Sequence, residues 1–339
     1  MELKERIAAL GRLGEEIQDE AAWLIGPIER AYHENGWFTP ENSWKALRAI
    51  KDQFLNTSIV EKWADKYGQY DIKPMKKVGL VLAGNIPMVG FHDVLCTFVC
   101  GHQSMIKTSS KDSVLLKTVI GKLIEQSPSS KPYFEIVDQL RGFEAVIATG
   151  SNNSARYFEQ YFGKYPNIIR KNRSAIGILD GSETDEELLA LGEDIFNYFG
   201  LGCRNVSKIY VPADYDFDHL LEVLHEGYKD IILHNKYKNN FDYNNALFLM
   251  NKVDFLMSGS LIITEAKEIT SRIATLHYER YTDLNELGNQ LASLADQIQC
   301  AVSKASIPGL NAFNYGEAQR PSISDYADGV DTMEFLKTL

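Results

Sequence analysis

Residues 77–107 read KVGLVLAGNIPMVGFHDVLCTFVCGHQSMIK, and this stretch decides the fold. Lys77–Ala83 is a short apolar run with the composition of a buried strand, and it is cut by Gly84-Asn85-Ile86-Pro87. An apolar helical segment then runs to Cys100, Gly101 stops it, and Ser104–Lys107 reads as the next strand. Strand, turn, helix and strand within about thirty residues make a βαβ unit, and a βαβ unit implies a parallel sheet.

Downstream, Lys111–Glu125 reads as a helix and Ala145–Ala148 as a strand that ends in Thr149-Gly150-Ser151. The alternation then starts again. Ala175–Leu179 is a strand, Thr184–Phe199 a helix, and after Gly200-Leu201-Gly202-Cys203 the run Lys208–Val211 is a strand. Leu261–Thr264 and Ala274–Tyr278 follow as strands, and a helix spans Leu284 to about Leu294. Upstream, Ile7, Leu10, Leu13 and Ile17 share a helical face, and Thr39-Pro40 opens a second helix. Ser58 with Glu61 reads as the capping box of a third. The fold class is α/β, with two lobes built on mainly parallel sheets behind a helical N-terminus. The expected divisions are 1–172, 173–320 and 321–339, with Lys171-Asn172-Arg173 as the hinge and Thr332–Leu339 as an edge strand or an oligomer contact.

Composition narrows the function. A net charge of −11 and a pI near 5.2 exclude a general nucleic-acid binder, which needs a basic surface. No run approaches the ~20 apolar residues of a membrane span. The N-terminus lacks the uninterrupted apolar stretch of a signal peptide. Four cysteines without paired spacing make no disulfide framework, so a cytoplasmic location is expected.

Cys203 is the sharpest chemical candidate, flanked by Gly200 and Gly202 in a tight turn between helix and strand. A thiolate suits thioesters and aldehydes because its adducts both form and break readily. The local residues leave a second reading open, that of a small buried hydrophobe. Cys96 and Cys100 share a helical face and read as core. Cys300 reads as structural, and no metal site is expected. Asn85 follows a strand end, where its amide could serve an oxyanion or simply make a turn. Lys107, Ser109, Ser110 and Lys111 bring hydroxyls and ammonium groups to the next strand end. Thr149, Gly150 and Ser151 precede a helix, so their amides could face a phosphate or a nicotinamide. Neither a G-x-G-x-x-G nor a P-loop motif occurs.

The order of these pieces resembles the aldehyde dehydrogenase superfamily, nearest its short acyl-CoA or acyl-protein reductase branch, the fatty-acid reductase subunit family of bioluminescent bacteria. The resemblance runs from about Lys77 to the C-terminus, while residues 1–75 match poorly. VLAGNIPMVGFHDVLCTFVCGHQSMIKTSS is similar to the family's stretch from catalytic asparagine to cofactor-binding lysine. The match implies Asn85 as oxyanion donor and Lys107 as ligand of the adenosine ribose. ATGS at 148–151 resembles the turn on the phosphate and nicotinamide side. YFGLGCRNVSKIYVP resembles the segment of the nucleophile and puts Cys203 in that place. KEITSRIATLHYE resembles the motif whose glutamate holds the nicotinamide ribose, which implies Glu268.

Three departures refine the expectation. Where the family carries its general-base glutamate this chain has Ile168-Ile169-Arg170-Lys171, without a carboxylate. That disfavours hydrolysis of an acyl-enzyme and suits a reductase. Ser110, followed by Lys111, stands where an acid usually binds the 2′-hydroxyl, which favours NADPH over NADH. Thr270-Ser271-Arg272 replaces the usual Phe-Gly-Pro after Glu268. The expected activity is NADPH-dependent reduction of an acyl thioester, from acyl-CoA or an acylated carrier protein, to an aldehyde through Cys203 in a homo-oligomer. The rivals are a thioester transferase or thioesterase using the same cysteine, a reductase of acyl phosphates, and a non-catalytic binding protein of this fold.

Overall fold

A computed structural model describes residues 1–68, 74–307, 310 and 312–339. The chain divides into two compact units, one formed by 1–172 with 321–339 and the other by 173–320.

The first unit opens with α1 (Leu3–Glu16), α2 (Ala22–Glu34), α3 (Pro40–Phe54) and α4 (Thr57–Asp65). Ile7, Leu10, Leu13 and Ile17 are buried, as their shared face requires. Thr39 caps α3 by accepting from Asn42 N–H, with Pro40 in the first turn, where a missing N–H costs nothing. The expected capping box at Ser58 is not formed. Asn56 caps α4 instead, accepting from the N–H groups of Ser58 and Ile59. Asn is as good a cap as Ser, and it stands one residue ahead of the helix. Helix α2, which contains Pro27, is not among the helices expected from sequence.

A parallel βαβ array follows: β1 (Lys77–Val81), α5 (Phe91–Cys100), β2 (Gln103–Lys107), α6 (Val114–Gln126), β3 (Phe134–Ile136), β4 (Ala145–Thr149), α7 (Asn152–Phe162) and β5 (Asn167–Arg170). The strands lie in the order β3-β2-β1-β4-β5, all parallel. Gly101 ends α5 with φ of 85°, a conformation that costs glycine nothing. The short strands β3 and β5 lack the apolar runs that mark β1 and β4 in the sequence.

Residues 321–339 return to this unit, and the expected edge strand is instead a helix, Thr332–Lys337. Asp331 caps it by accepting from Glu334 N–H. Its Met333 and Leu336 are buried in the same core as α1 and α5, an i, i+3 pairing that only a helix presents to one side. Trp63 Nε1 donates to Tyr326 Oη at 2.8 Å, and Tyr67 Oη donates to Asp331 Oδ2 at 2.9 Å.

The second unit runs β6 (Ser174–Ile178), α8 (Asp185–Phe196), β7 (Val206–Pro212), α9 (Phe217–Tyr228), α10 (Asn235–Asn251), β8 (Phe255–Met257), β9 (Ile262–Glu265), β10 (Thr275–Tyr281), α11 (Leu284–Ser293), β11 (Ile298–Val302) and β12 (Ala312–Phe313). Its strand order is β12-β11-β6-β7-β10-β9-β8, parallel except for β8 on β9. Thr184 and Glu187 close a capping box at the start of α8. The expected helix to Phe199 stops at Phe196, because Tyr198, Phe199 and Gly200 all take left-handed φ of 53°, 59° and 74°. Among the described residues no helix is long and apolar enough to cross a membrane.

Candidate active site

In the first unit the candidates gather at the carboxyl ends of the parallel strands. With β2 and β4 on either side of β1, that edge opens the crevice where α/β sheets bind ligands. Lys107 is the last residue of β2 and is exposed; Leu82 N–H donates to its carbonyl at 3.1 Å. Asn85 lies half-buried in the turn after β1. That turn presses on the one after β2: a Cβ on Gly84 would lie 2.6 Å from Ser109 Cβ and 3.1 Å from Asp112 N. Only glycine fits there, so Asn85 and Ser109 belong to two abutting turns. Ser109 Oγ accepts from Lys111 N–H, while Ser110 and Lys111 are exposed.

Thr149 ends β4, and Ser151 caps α7 by accepting from Ser154 N–H at 3.2 Å. Gly150 has no room for a side chain, since a Cβ would lie 2.8 Å from the Phe158 ring. The set of Lys107 ammonium, Ser109, Ser110, Thr149 and Ser151 hydroxyls and the first turn of α7 fits a dinucleotide in its donor chemistry.

Arg170 ends β5, in the carboxylate-free stretch 168–171. It is 4% exposed and points inward, with Nη1 2.6 Å from Asp93 Oδ2 and Nη2 donating to Thr332 Oγ1 at 2.9 Å. Burial alone would lower the guanidinium's pKa, but the Asp93 carboxylate more than offsets this and raises it. The stretch therefore supplies a fixed cation and no base.

In the second unit Cys203 sits half-buried in the turn between α8 and β7. Asn205 builds this turn. Its Oδ1 accepts from Gly202 N–H at 2.7 Å, and its Nδ2 donates to the carbonyls of Asp194 and Asn197, each at 2.9 Å. Asp194, fully buried, accepts from the N–H groups of Gly316 and Ala318, and Arg204 Nη1 donates to Ala318 carbonyl at 3.4 Å. Burial pushes the Asp194 carboxyl up to about 7 against the pull of those two amides. The other cysteines are poor nucleophiles. Burial raises the Cys96 thiol well above its usual value and pushes Cys100 and Cys300 up to about 12.

Glu268 is exposed on the loop between β9 and β10. Since β7 and β10 are parallel neighbours, the Cys203 turn and the Glu268 loop precede their strands at the same sheet edge. A small pocket there is lined by Phe199, Gly200, Ser207, Arg272 and Thr275. Two groups fix the loop's backbone: the fully buried Lys208 donates from Nζ to Lys267 carbonyl at 2.9 Å, and His277 Nδ1 lies 2.9 Å from Glu268 carbonyl oxygen. Lys208 also pairs with Glu279 at 2.7 Å. Sequence reasoning did not single out Asn205, Asp194, Lys208 or Asp112. Each reads locally as an ordinary turn, helix or strand residue. Among the described residues no group of three His, Cys, Asp or Glu could hold a metal ion.

No protein-family profile matches the chain. It is 26% identical over 309 residues to long-chain acyl-protein thioester reductase 2 of Photobacterium leiognathi, an alignment covering 80% of this chain and 63% of that protein. The chain thus spans less than two thirds of that relative's length. In structure it resembles aldehyde dehydrogenase 21 of Physcomitrella patens, with a TM-score of 0.69 and 14% identity over all of this chain and 84% of the other. It also resembles succinic semialdehyde dehydrogenase of Streptococcus pyogenes, solved with NADP+, with a TM-score of 0.64 and 13% identity over 94% of this chain and 78% of the other. The chain has the aldehyde-dehydrogenase fold.

Proposed function

From that fold and the sequence relation to an acyl-protein thioester reductase, we propose that this chain reduces an acyl thioester to an aldehyde through an acyl-enzyme on Cys203. The observation that carries the reading is the state of the cysteines. Cys96, Cys100 and Cys300 all have thiol pKa values raised by burial, and Cys203 stands half-buried in a glycine-flanked turn built by Asn205.

In this reading the Cys203 sulfur bonds to the thioester carbonyl carbon, and the carbonyl electron pair moves onto oxygen. Asn85 takes the role of amide donor to that oxyanion. The pair then returns, the carrier's sulfur departs and takes a proton from solvent, and the acyl group stays on Cys203. A reduced nicotinamide, when bound, would supply the hydride that brings the acyl carbon to the aldehyde level; the bond from that carbon to the Cys203 sulfur then breaks, which releases the aldehyde and returns the cysteine as thiolate. Lys107, Ser109, Ser110, Lys111, Thr149, Gly150 and Ser151 would hold that cofactor, with Glu268 for its nicotinamide ribose. Exposed Ser110 and Lys111 favour NADPH, since neither repels a 2′-phosphate. Arg170, locked to Asp93, supplies no base from the end of β5, so in this reading the acyl-enzyme waits for reduction.

The substrate class is acyl-CoA or an acylated protein. A cytoplasmic setting belongs to the same reading and agrees with four free thiols. So does self-association, supported by exposed Leu249, Met250 and Met257 on α10 and β8. The test is Cys203→Ala assayed with acyl-CoA and NADPH. Loss of acyl-enzyme and of NADPH consumption, with cofactor affinity kept within about twofold, supports the reading; an adduct that mass spectrometry maps to Cys96, Cys100 or Cys300 refutes it.

A further inference from the structure

Asp112 stands just before α6, where an aspartate ordinarily caps a helix. It does not do so here: the cap position is Ser113, and no side chain caps the helix. The Asp112 carboxyl turns inward instead. The residue is 7% exposed, its Oδ2 accepts from Met88 N–H at 2.8 Å, and its Oδ1 is buried with no hydrogen-bond partner among the described residues. Burial pushes this carboxyl up to about 7, with the Met88 bond pulling the other way.

Met88 is the other half of the arrangement. Its φ is 60°, a left-handed backbone that a side chain as large as methionine rarely takes unless its surroundings enforce it. The side chain is fixed in the core at 3% exposure, and its carbonyl accepts from Phe91 N–H at the start of α5. The turn after β1 is thus held at both ends by one segment. Gly84 abuts Ser109 and the Asp112 backbone, and Met88 N–H is bound by the Asp112 carboxyl. Asn85 lies between these two points.

We propose that Asp112 is a positioning residue for Asn85: by holding Met88 in its left-handed conformation it fixes the turn that carries the Asn85 amide. The inference rests on the reading of Asn85 as oxyanion donor. Asp112 touches neither substrate nor cofactor in this role. A displacement of the donor by about an ångström is enough to cost up to a hundredfold in rate.

The experiment measures the burst of CoA release from acyl-CoA, with cofactor affinity by fluorescence, in Asn85→Ala, Asp112→Ala, Asp112→Asn and the double alanine variant. Asn85→Ala should slow the burst about a hundredfold or more, as loss of an oxyanion donor does. Asp112→Ala should slow it about tenfold or more with KM for acyl-CoA and cofactor affinity unchanged. Asp112→Asn retains an acceptor for Met88 N–H, folds as a near-isostere, and should recover the rate to within about threefold. The double variant should be no slower than Asn85→Ala alone. An unaltered burst in Asn85→Ala removes the donor reading and the inference with it. If Asn85→Ala is slow, three results overturn the inference alone: a normal burst in Asp112→Ala, effects of the two alanines that multiply, or no recovery in Asp112→Asn.

Discussion

The Asn205 carboxamide accepts from the N–H of Gly202 at 2.7 Å, and so holds the backbone immediately before Cys203. The same side chain donates to Asp194 and Asn197 carbonyls, tying the frayed end of α8 to the start of β7. A single 1%-exposed amide thereby pairs with backbone groups on both sides of the left-handed residues Tyr198–Gly200.

Asn205→Ala should therefore lower unfolding free energy by about 2–4 kcal/mol, because several buried backbone groups lose their partner at once. It should also change the rate at which iodoacetamide alkylates Cys203. Denaturant unfolding and timed mass spectrometry measure the two effects. An alkylation rate and a stability both equal to the unsubstituted protein's would mean that Asn205 does not build the turn.

The acyl-enzyme should resist water. Arg170 is committed to Asp93 and Thr332, so no base is supplied from the end of β5. Without NADPH, acyl-CoA should give a burst of CoA about equal to the active sites and then very slow turnover. Adding NADPH should discharge the preformed intermediate as aldehyde in one turnover. Rapid, steady release of free acid without cofactor would put the thioesterase reading first.

Cofactor choice should follow Ser110. Ser110→Glu should weaken NADPH about ten- to a hundredfold relative to NADH, the loss of one charge-assisted phosphate contact worth roughly 1.5–3 kcal/mol. Fluorescence titration of both cofactors measures this. Equal affinity for the two in the unsubstituted protein would count against a 2′-phosphate site.

Asp194 should contribute a fall in stability as pH rises from about 4 to 7. The Asp194 carboxyl is raised from 3.8 to about 7 in the folded chain by burial, with Glu193 adding to the rise and the Gly316 and Ala318 amides and Arg320 opposing it. Within that window the folded state keeps a proton that the unfolded state has released, so each pH unit costs up to about 1.4 kcal/mol; above about pH 7 the contribution levels off. Asp194→Asn should make the decline between pH 5 and 7 shallower. An identical slope in both proteins, by chemical denaturation across that range, would show that Asp194 is not the titrating group.

Part of the candidate site is legible in the amino-acid sequence. Cys203 declares itself through its flanking glycines, and Asn85 and Lys107 through the ends of apolar runs. Residues that act at a distance in the chain do not declare themselves. Arg170 and Asp93 are 77 positions apart, Arg170 and Thr332 162 apart, and the Asp112–Met88 bond joins two turns. Ser58 misleads because a capping box looks the same in sequence whether or not a better cap precedes it, and Asn56 does.

Strand, turn and helix in 77–107 make the parallel α/β class a consequence of local chemistry. An apolar run bounded by Gly-Asn-Ile-Pro, followed by a helix ended at Gly101, has few other solutions. Tertiary structure alone decided that 332–337 is a helix docked in the first unit's core, that Arg170 faces Asp93, and that Asp112 turns away from its own helix to bind Met88. The reason is physical. Propensity and periodicity act over a few residues, whereas a buried charge or polar group settles wherever the packed chain supplies a partner, and the topology, not the neighbouring sequence, brings that partner close.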